Sequence, residues 1–422
     1  MSDARVIIVG AGLAGLSCAG KLQDFGCDVQ IIEASDGIGG RVRTDHHEGF
    51  LLDRGFQVLL DSYEQARATL DFSGLDLARF EPGAMVRTKG RFVTVSDPIR
   101  RPSLLWSTLR AKLGTMSDDF RMLTLRRRAR AVGHRLPQDD GGQSALALIQ
   151  ELGFSPAMIE TFFRPFFGGV FLESELRSAA SSLLFLFGRF SQGFATLPAR
   201  GMGAIPEQLA KRLPHEAIKT GIRASVIARN SVTTDDGRTF EADAVVLATD
   251  ARSADQLLQR NRPLRFNGTT CLYYAAPRSP VAGPWLVLDG ENTGPINHLC
   301  VPSEAHASYA PAGQSLVSVS VQGTDRDEAA LERRVREQLA TWYGHTVADW
   351  RHLKSYRLPE ALPAQDAGRY HPNPNGFELV DEIFVCGDHL QHPSIEGAIS
   401  SGCLTAQAVV ERVAAGPSPS SR

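Results

Sequence analysis

The first 33 residues of this chain read as strand, glycine-rich turn, helix and strand. Arg5 to Val9 is a short, β-branched, wholly apolar run that ends directly on glycine, the pattern of a buried parallel strand. Leu13 to Phe25 follows as a helix, with Leu16, Ala19 and Leu22 on one face and Gly26 as its stop. Asp28 to Glu33 is a second strand that ends on a carboxylate. Between the first strand and the helix stand Gly10, Gly12 and Gly15, spaced G-x-G-x-x-G, and an acid lies about 20 residues beyond them. The spacing predicts a β-α-β unit built for a dinucleotide. Gly10 gives a tight exit from the strand, Gly12 lets a pyrophosphate reach the backbone, and Gly15 lets helix and strand pack closely. The free N–H groups of Leu13 and Ala14 at the helix start favour an anion. Glu33, with Ala34 beside it, is placed to accept hydrogen bonds from ribose hydroxyls. A glycine turn of this kind does not by itself separate NAD from FAD.

The residues that follow narrow the choice. Glu33 to Arg43 carries Gly39, Gly40 and Arg41, and it resembles the E-x-x-x-x-x-G-G-R stretch of the flavin amine oxidase superfamily. That superfamily includes monoamine oxidases, protoporphyrinogen oxidases and phytoene desaturases. The resemblance implies that Gly39 and Gly40 hug the diphosphate of an FAD while Arg41 adds a charge-assisted contact. Three later segments resemble the same family. Phe50 to Leu60 is similar to the segment passing the isoalloxazine ring, which puts Gly55, Phe56, Gln57 and Val58 nearest the flavin. Ala224 to Arg229 and Ala244 to Ala248 resemble a second visit to the nucleotide domain, with Val226 facing the adenine and Ala248 and Thr249 beside the cofactor. An Asp235-Asp236-Gly237 turn joins short strands between them. Ile383 to Asp388 reads as a strand followed by Gly387 and Asp388, then Ser394, Ile395 and Ala398 open a helix. By resemblance Asp388 binds the ribityl or pyrophosphate region, and N–H groups near Ile395 face flavin O2.

The expected fold is therefore α/β, a Rossmann-like FAD-binding domain with an inserted α+β substrate domain. Residues 1–79, 214–263 and 363–415 are assigned to the FAD domain, and 80–213 and 264–362 to the substrate domain. Residues 416–422 form a Pro/Ser tail expected to be disordered. The segment from Phe80 to Leu213 reads as helix-rich. Strand-like runs include Cys271 to Tyr274, Trp285 to Leu288 and Leu316 to Val321. A helix carries Leu331, Val335, Leu339 and Trp342.

The implied chemistry is oxidation of a C–C or C–N bond in a mostly apolar organic substrate. Hydride passes to flavin N5, and oxygen or another acceptor reoxidises the flavin. The amine oxidases' flavin-facing lysine belongs on the strand Gly268 to Tyr274, which has none; that moves the balance toward the desaturase and protoporphyrinogen-oxidase-like branches. Gln57, Arg54 and Tyr273 are the catalytic candidates, each with an equal claim to a structural role. A non-redox flavin isomerase, a true amine oxidase and a non-catalytic flavin binder stand as alternatives. The aromatic stretch Phe162 to Phe171 reads either as domain core or as the wall of an apolar cavity, with Arg164 gripping an acidic group.

Composition adds mostly exclusions. Charged residues are 22% of the 422 and the formal net charge is −2, so nothing favours nucleic acid as a partner. Six cysteines without a C-x-x-C pair fit a reducing, cytoplasmic compartment rather than a disulfide framework. Cys386, His389 and His392 lack a good fourth ligand for a metal, and Cys403 does not match a covalent flavin link, so FAD is expected to be non-covalent. The apolar opening strand is read as mature structure rather than a leader. No apolar run approaches the roughly 18 residues of a membrane span. The six arginines between Arg121 and Arg135, downstream of Leu104, Leu105, Trp106 and Leu109, read first as a solvated helix face; docking on an anionic membrane is the less favoured reading.

Overall fold

In a computed structural model, residues 4–97, 100–101, 113–132 and 142–415 are described. Among them, a six-stranded sheet gathers pieces from distant parts of the chain. Its order is Ile218–Lys219, Asp28–Ile32, Arg5–Val9, Ala244–Leu247, Ile383–Val385 and Glu378–Val380. All neighbours are parallel except the last pair, where Glu378–Val380 returns antiparallel. Val6, Ile7, Ile8 and Val9 are buried, as a strand covered on both faces requires.

The helix Leu13–Asp24 lies on one face of this sheet. A Cβ on Gly15 would fall 2.0 Å from the Gly10 carbonyl oxygen, so only glycine lets the helix cross the strand exit this closely. The long helix Ile395–Ala415 packs on the same helix from the other end of the chain. There a Cβ on Gly402 would meet the Ala14 carbonyl oxygen at 2.1 Å. The two termini of the chain are thus locked together at the glycine turn. A three-stranded antiparallel sheet, Ala224–Ala228, Ser231–Thr234 and Thr239–Glu241, holds the Asp235 to Gly237 turn between its last two strands.

A second, seven-stranded sheet runs Arg351–Pro363, Phe266–Ala276, Ser315–Gln322, Ile296–Cys300, Leu286–Asp289, Gly83–Thr88 and Arg91–Ser96. The helix Glu328–Tyr343 covers it with Leu331, Val335, Leu339 and Trp342, all buried. The segment read as helix-rich from Phe80 onward therefore begins with a hairpin, Gly83–Thr88 with Arg91–Ser96. Its Lys89-Gly90 turn is the signal that reading passed over; both residues have positive φ. The helices follow later, at Met116–Ala131, Ala145–Glu151, Arg164–Phe171 and Ala180–Gln192. The helix Ala204–Ala210 packs against Leu13–Asp24, on the nucleotide side of the molecule. Leu104, Leu105, Trp106, Leu109, Arg135 and the 416–422 tail lie outside the described residues. No described helix is long and apolar enough to cross a membrane.

Candidate active site

One cavity of about 1380 Å³ runs from the glycine turn into the space beneath the second sheet. Ordinary ligand pockets hold roughly 300–1,000 Å³, so this one has room for a dinucleotide and a second molecule. At its nucleotide end lie Gly10, Gly12, Leu13, Ala14, Glu33, Ala34, Gly39, Gly40 and Arg41. A Cβ on Gly12 would meet no protein atom within 4 Å. That open space sits at a helix N-terminus, where backbone N–H groups lack helical partners and attract an anion.

Glu33 is fixed at the rim by backbone donors. Its Oε2 accepts from Ala11 N and its Oε1 from Ser35 N, both at 2.8 Å. Each oxygen keeps a lone pair for a ribose hydroxyl. Arg41 Nη2 meets Asp388 Oδ1 at 2.6 Å, and Nη1 donates to Ala361 O at 3.1 Å. This pair ties the second glycine loop to Asp388, just past the strand end and 347 positions away in sequence. Ser394 Oγ accepts from Gly397 N at 3.0 Å and caps the helix Ile395–Ala415. Ser394, Ile395 and Ala398 line the cavity, as do Ala248, Thr249, Gly387 and Asp388.

Two positions fall elsewhere. Gly15 is buried in packing, and Val226 is 60% exposed. Near Val226 the cavity wall is formed by Ala224 and Ser225, and the strand register shifts between Ala224 and Val226.

Gly55, Phe56, Gln57 and Val58 line the middle of the cavity. Gln57 Nε2 donates to Arg41 O at 2.9 Å, and its buried Oε1 has no protein partner. The other two catalytic candidates are committed to the framework. Arg54 grips Asp45 Oδ1 through Nε and Nη2, at 3.1 and 2.9 Å. Lys354 and Tyr356 reach the other oxygen of that carboxylate at 2.9 and 2.7 Å. Burial raises the Asp45 carboxyl, but hydrogen bonds from Tyr356, Lys354 and Arg54 outweigh it and hold the group well below the usual carboxylate range. Tyr273 OH donates to Asp53 O at 2.8 Å. Burial pushes the Asp53 carboxyl up to about 6 in spite of hydrogen bonds from Thr44, Met202 N and Tyr309.

The far end is apolar. Phe162, Phe166 and Val170 face it at helical spacing, together with Met158, Phe187, Phe190 and Phe194. Phe163, Phe167 and Phe171, one position on, are fully buried in the core. Both readings of the aromatic stretch hold, each for one face of the helix. Arg164 points away, to Glu160 at 2.8 Å and to Ser174 O at 2.6 Å. Of the arginine-rich helix, Arg121 pairs with Asp118, Arg126 with Asp97 and Arg128 with Glu151, while Met116, Phe120 and Leu123 are exposed.

The second sheet closes the cavity with Thr269, Leu286, His298, Ser320 and Leu358. Thr269 Oγ1 donates to Val321 O at 2.9 Å, and no lysine stands on that strand. His298 escaped the sequence reading because a single histidine between Asn297 and Leu299 belongs to no motif. Among the described residues no three His, Cys, Asp or Glu side chains converge as a metal site. Cys403 Sγ lies 4.0 Å from Thr69 Oγ1.

The family model for flavin-containing amine oxidoreductases matches residues 13–410. A coproporphyrinogen III oxidase of Propionibacterium freudenreichii subsp. freudenreichii is 25% identical over 394 residues, covering 76% of this chain and 73% of that protein. Two crystal structures share the fold. An oxidoreductase from Methanosarcina mazei superposes with a TM-score of 0.74 at 19% identity, over 97% of this chain and 100% of its own. A putative protoporphyrinogen oxidase from Exiguobacterium sp. 255-15 gives 0.73 at 18%, over 98% and 100%. The open space at Gly12, the fixed Glu33 carboxylate and the helix N-terminus at Ser394 fit the diphosphate, ribose and ring of FAD. With a Rossmann-like fold and a match across nearly its whole length, the chain belongs to the flavin-containing amine oxidoreductase family and is an FAD-dependent oxidoreductase.

Proposed function

We propose that the enzyme oxidises a C–C or C–N bond of a large, mostly apolar organic substrate, on the desaturase and porphyrinogen-oxidase side of the family rather than the amine side. The observation that carries this is the phenyl-lined chamber of Phe162, Phe166, Phe187 and Phe190, continuous with the nucleotide cradle. Bound FAD would supply the hydride acceptor, N5 of its ring. The chain's own residues bind and orient. Gly12, Gly39, Gly40 and Arg41 would hold the diphosphate, Glu33 the ribose, and Asp388 the ribityl or pyrophosphate region. The N-terminal end of Ile395–Ala415 lies where negative charge on a reduced ring needs stabilising. The aromatic wall excludes water and accepts flat or extended hydrocarbon. Arg54 and Tyr273 act as positioning residues: through Asp45 and the Asp53 carbonyl they hold the strand that leads into Gly55 to Val58. Gln57, with Oε1 unpartnered, orients whatever lies against it. The chain divides into nucleotide and substrate domains along the two sheets.

Two further findings support the non-amine side. The strand Phe266–Ala276 carries no lysine, and Lys354 is held by Asp45. The likeness to a coproporphyrinogen III oxidase extends over most of the chain. The test is anaerobic mixing of the flavin-loaded enzyme with a panel of polyenes, porphyrinogens and amines. A polyene or porphyrinogen should bleach the visible flavin band faster than any amine does. Reduction by amines alone would overturn the proposal.

A further inference from the structure

Where the apolar chamber meets the cofactor segment, the cavity is lined by a buried histidine, unpartnered at one ring nitrogen and fixed at the other. His298 lies on the strand Ile296–Cys300 with only 6% of its surface exposed. Its ring sits 5.1 Å from that of Phe56, centroid to centroid, and faces the cavity between the cofactor segment and the substrate chamber. The strand register shifts between Ile296 and His298, and this irregularity brings the neighbouring side chains of Asn297 and His298 into contact.

The tautomer follows from the hydrogen bonds. Asn297 Nδ2 lies 3.0 Å from the Pro165 carbonyl oxygen, which can only accept. The amide orientation is thereby fixed, and Asn297 Oδ1 accepts from Gln322 Nε2 at 2.9 Å. The second hydrogen on Asn297 Nδ2 points to His298 Nδ1 at 2.9 Å. Nδ1 is therefore the acceptor and the ring proton sits on Nε2. Burial pushes the imidazole down to about 4, so it is neutral near pH 7. Nε2 is buried without a protein partner. A buried donor left unpaired is costly, and the usual resolution is a ligand or water that accepts from it. Gly169 belongs to the same arrangement: a Cβ there would press on Asn297 Nδ2 and His298 Nδ1 at 2.8 and 2.9 Å.

We propose that His298 is the specificity anchor of the substrate chamber, donating Nε2–H to an acceptor oxygen, a carbonyl or carboxylate, on an otherwise apolar substrate. The proposal rests on the reading of the aromatic cavity as the substrate site. A donor at this point has nothing to offer a protonated amine, which brings only N–H donors of its own. Discrimination against such amines is thus built into the tautomer that Asn297 imposes.

Flat aromatic probes on the flavin-loaded enzyme test this, read by perturbation of the flavin absorbance rather than by turnover. Naphthoate carries an acceptor, naphthylmethylammonium only donors, and methylnaphthalene neither. Wild type should bind naphthoate about tenfold or more tighter than the other two. H298F should lose that preference while still binding methylnaphthalene, and H298Q, which retains an amide donor, should recover part of it. Nitrogen NMR of histidine-labelled protein should show His298 protonated at Nε2, and N297L should release that restriction. Equal naphthoate affinity in wild type and H298F, or protonation at Nδ1, overturns the anchor while leaving the cavity reading intact. If no probe perturbs the flavin of the wild type, the cavity reading fails and the anchor with it.

Discussion

A side chain at Gly12 would meet nothing of the protein within 4 Å, whereas one at Gly15 would strike the Gly10 carbonyl at 2.0 Å. Glycines three apart in one motif thus differ: one leaves open space at the helix N-terminus and the other lets helix and strand pack. Glu33 was equally legible, since a carboxylate at the end of the second strand has few other uses. Its charge should matter for binding: Glu33→Gln is expected to weaken FAD about tenfold in a fluorescence titration of the apoprotein, the difference between a charged and a neutral acceptor. An unchanged affinity would place the ribose elsewhere. Arg54 and Tyr273 show where sequence adjacency runs out. Arg54 stands one residue before Gly55, yet its guanidinium turns to Asp45 at the bend that follows the strand Phe50–Asp53. Val226 lies outside the cavity lining, next to a register shift that no local pattern announces. His298 had no signal at all, since what fixes it is an amide, a proline carbonyl and a glutamine from separate elements.

The helix Arg164–Phe171 and the π-helical turn Ile159–Phe163 before it carry two aromatic stripes. Composition alone cannot divide such a stretch between core and cavity; the packing partners do. Phe163 touches Phe154 and Phe167 in the core, while Phe166 stacks on Phe162 along the cavity. Phe163→Ala should cost about 3–5 kcal/mol of stability in denaturant unfolding. Phe166→Ala should cost clearly less and alter substrate affinity instead; equal losses in the two variants would contradict the division.

The arginine-rich helix Met116–Ala131 is anchored at its start by Asp118. Burial raises this carboxyl, but hydrogen bonds from Ser155 and Thr115 prevail and hold it well below the usual carboxylate range. A carboxylate whose pKa is lowered by folding stabilises the fold above its unfolded value of about 4, and that contribution is lost as the pH falls further. Asp118→Asn should therefore destabilise the protein by about 2 kcal/mol at pH 7, with the gap to wild type narrowing at pH 3. A gap independent of pH would show that the charge is irrelevant.

At the scale of the molecule, one sheet collects strands that begin at residues 5, 28, 218, 244, 378 and 383, and the cavity's nucleotide end lies at that sheet. The nucleotide half was readable because the visits beginning at residues 5, 28, 244 and 383 each carry a motif, whereas the edge strands Ile218–Lys219 and Glu378–Val380 carry none. The substrate half was readable as strands and helices but not as a site, since its cavity depends on tertiary packing; its hairpin at Gly83–Ser96 had a local signal in the Lys89-Gly90 turn. Because FAD binds only the assembled cradle, ligand linkage should raise stability by about 2.7 kcal/mol at a free concentration a hundredfold above Kd. A thermal melt with and without added FAD reads this directly, and no rise would mean that the cradle does not hold the cofactor in the folded state.

The glycine turn Gly10 to Gly15 and the Asp388 segment are expected to form one FAD site. The flavin-to-protein ratio of purified Gly12→Val tests it most directly, because the space around Gly12 allows the variant to fold. The expected product is a colourless protein whose circular dichroism matches that of wild-type apoprotein and whose melting temperature does not rise with added FAD. A folded Gly12→Val that purifies with a full complement of flavin would contradict it.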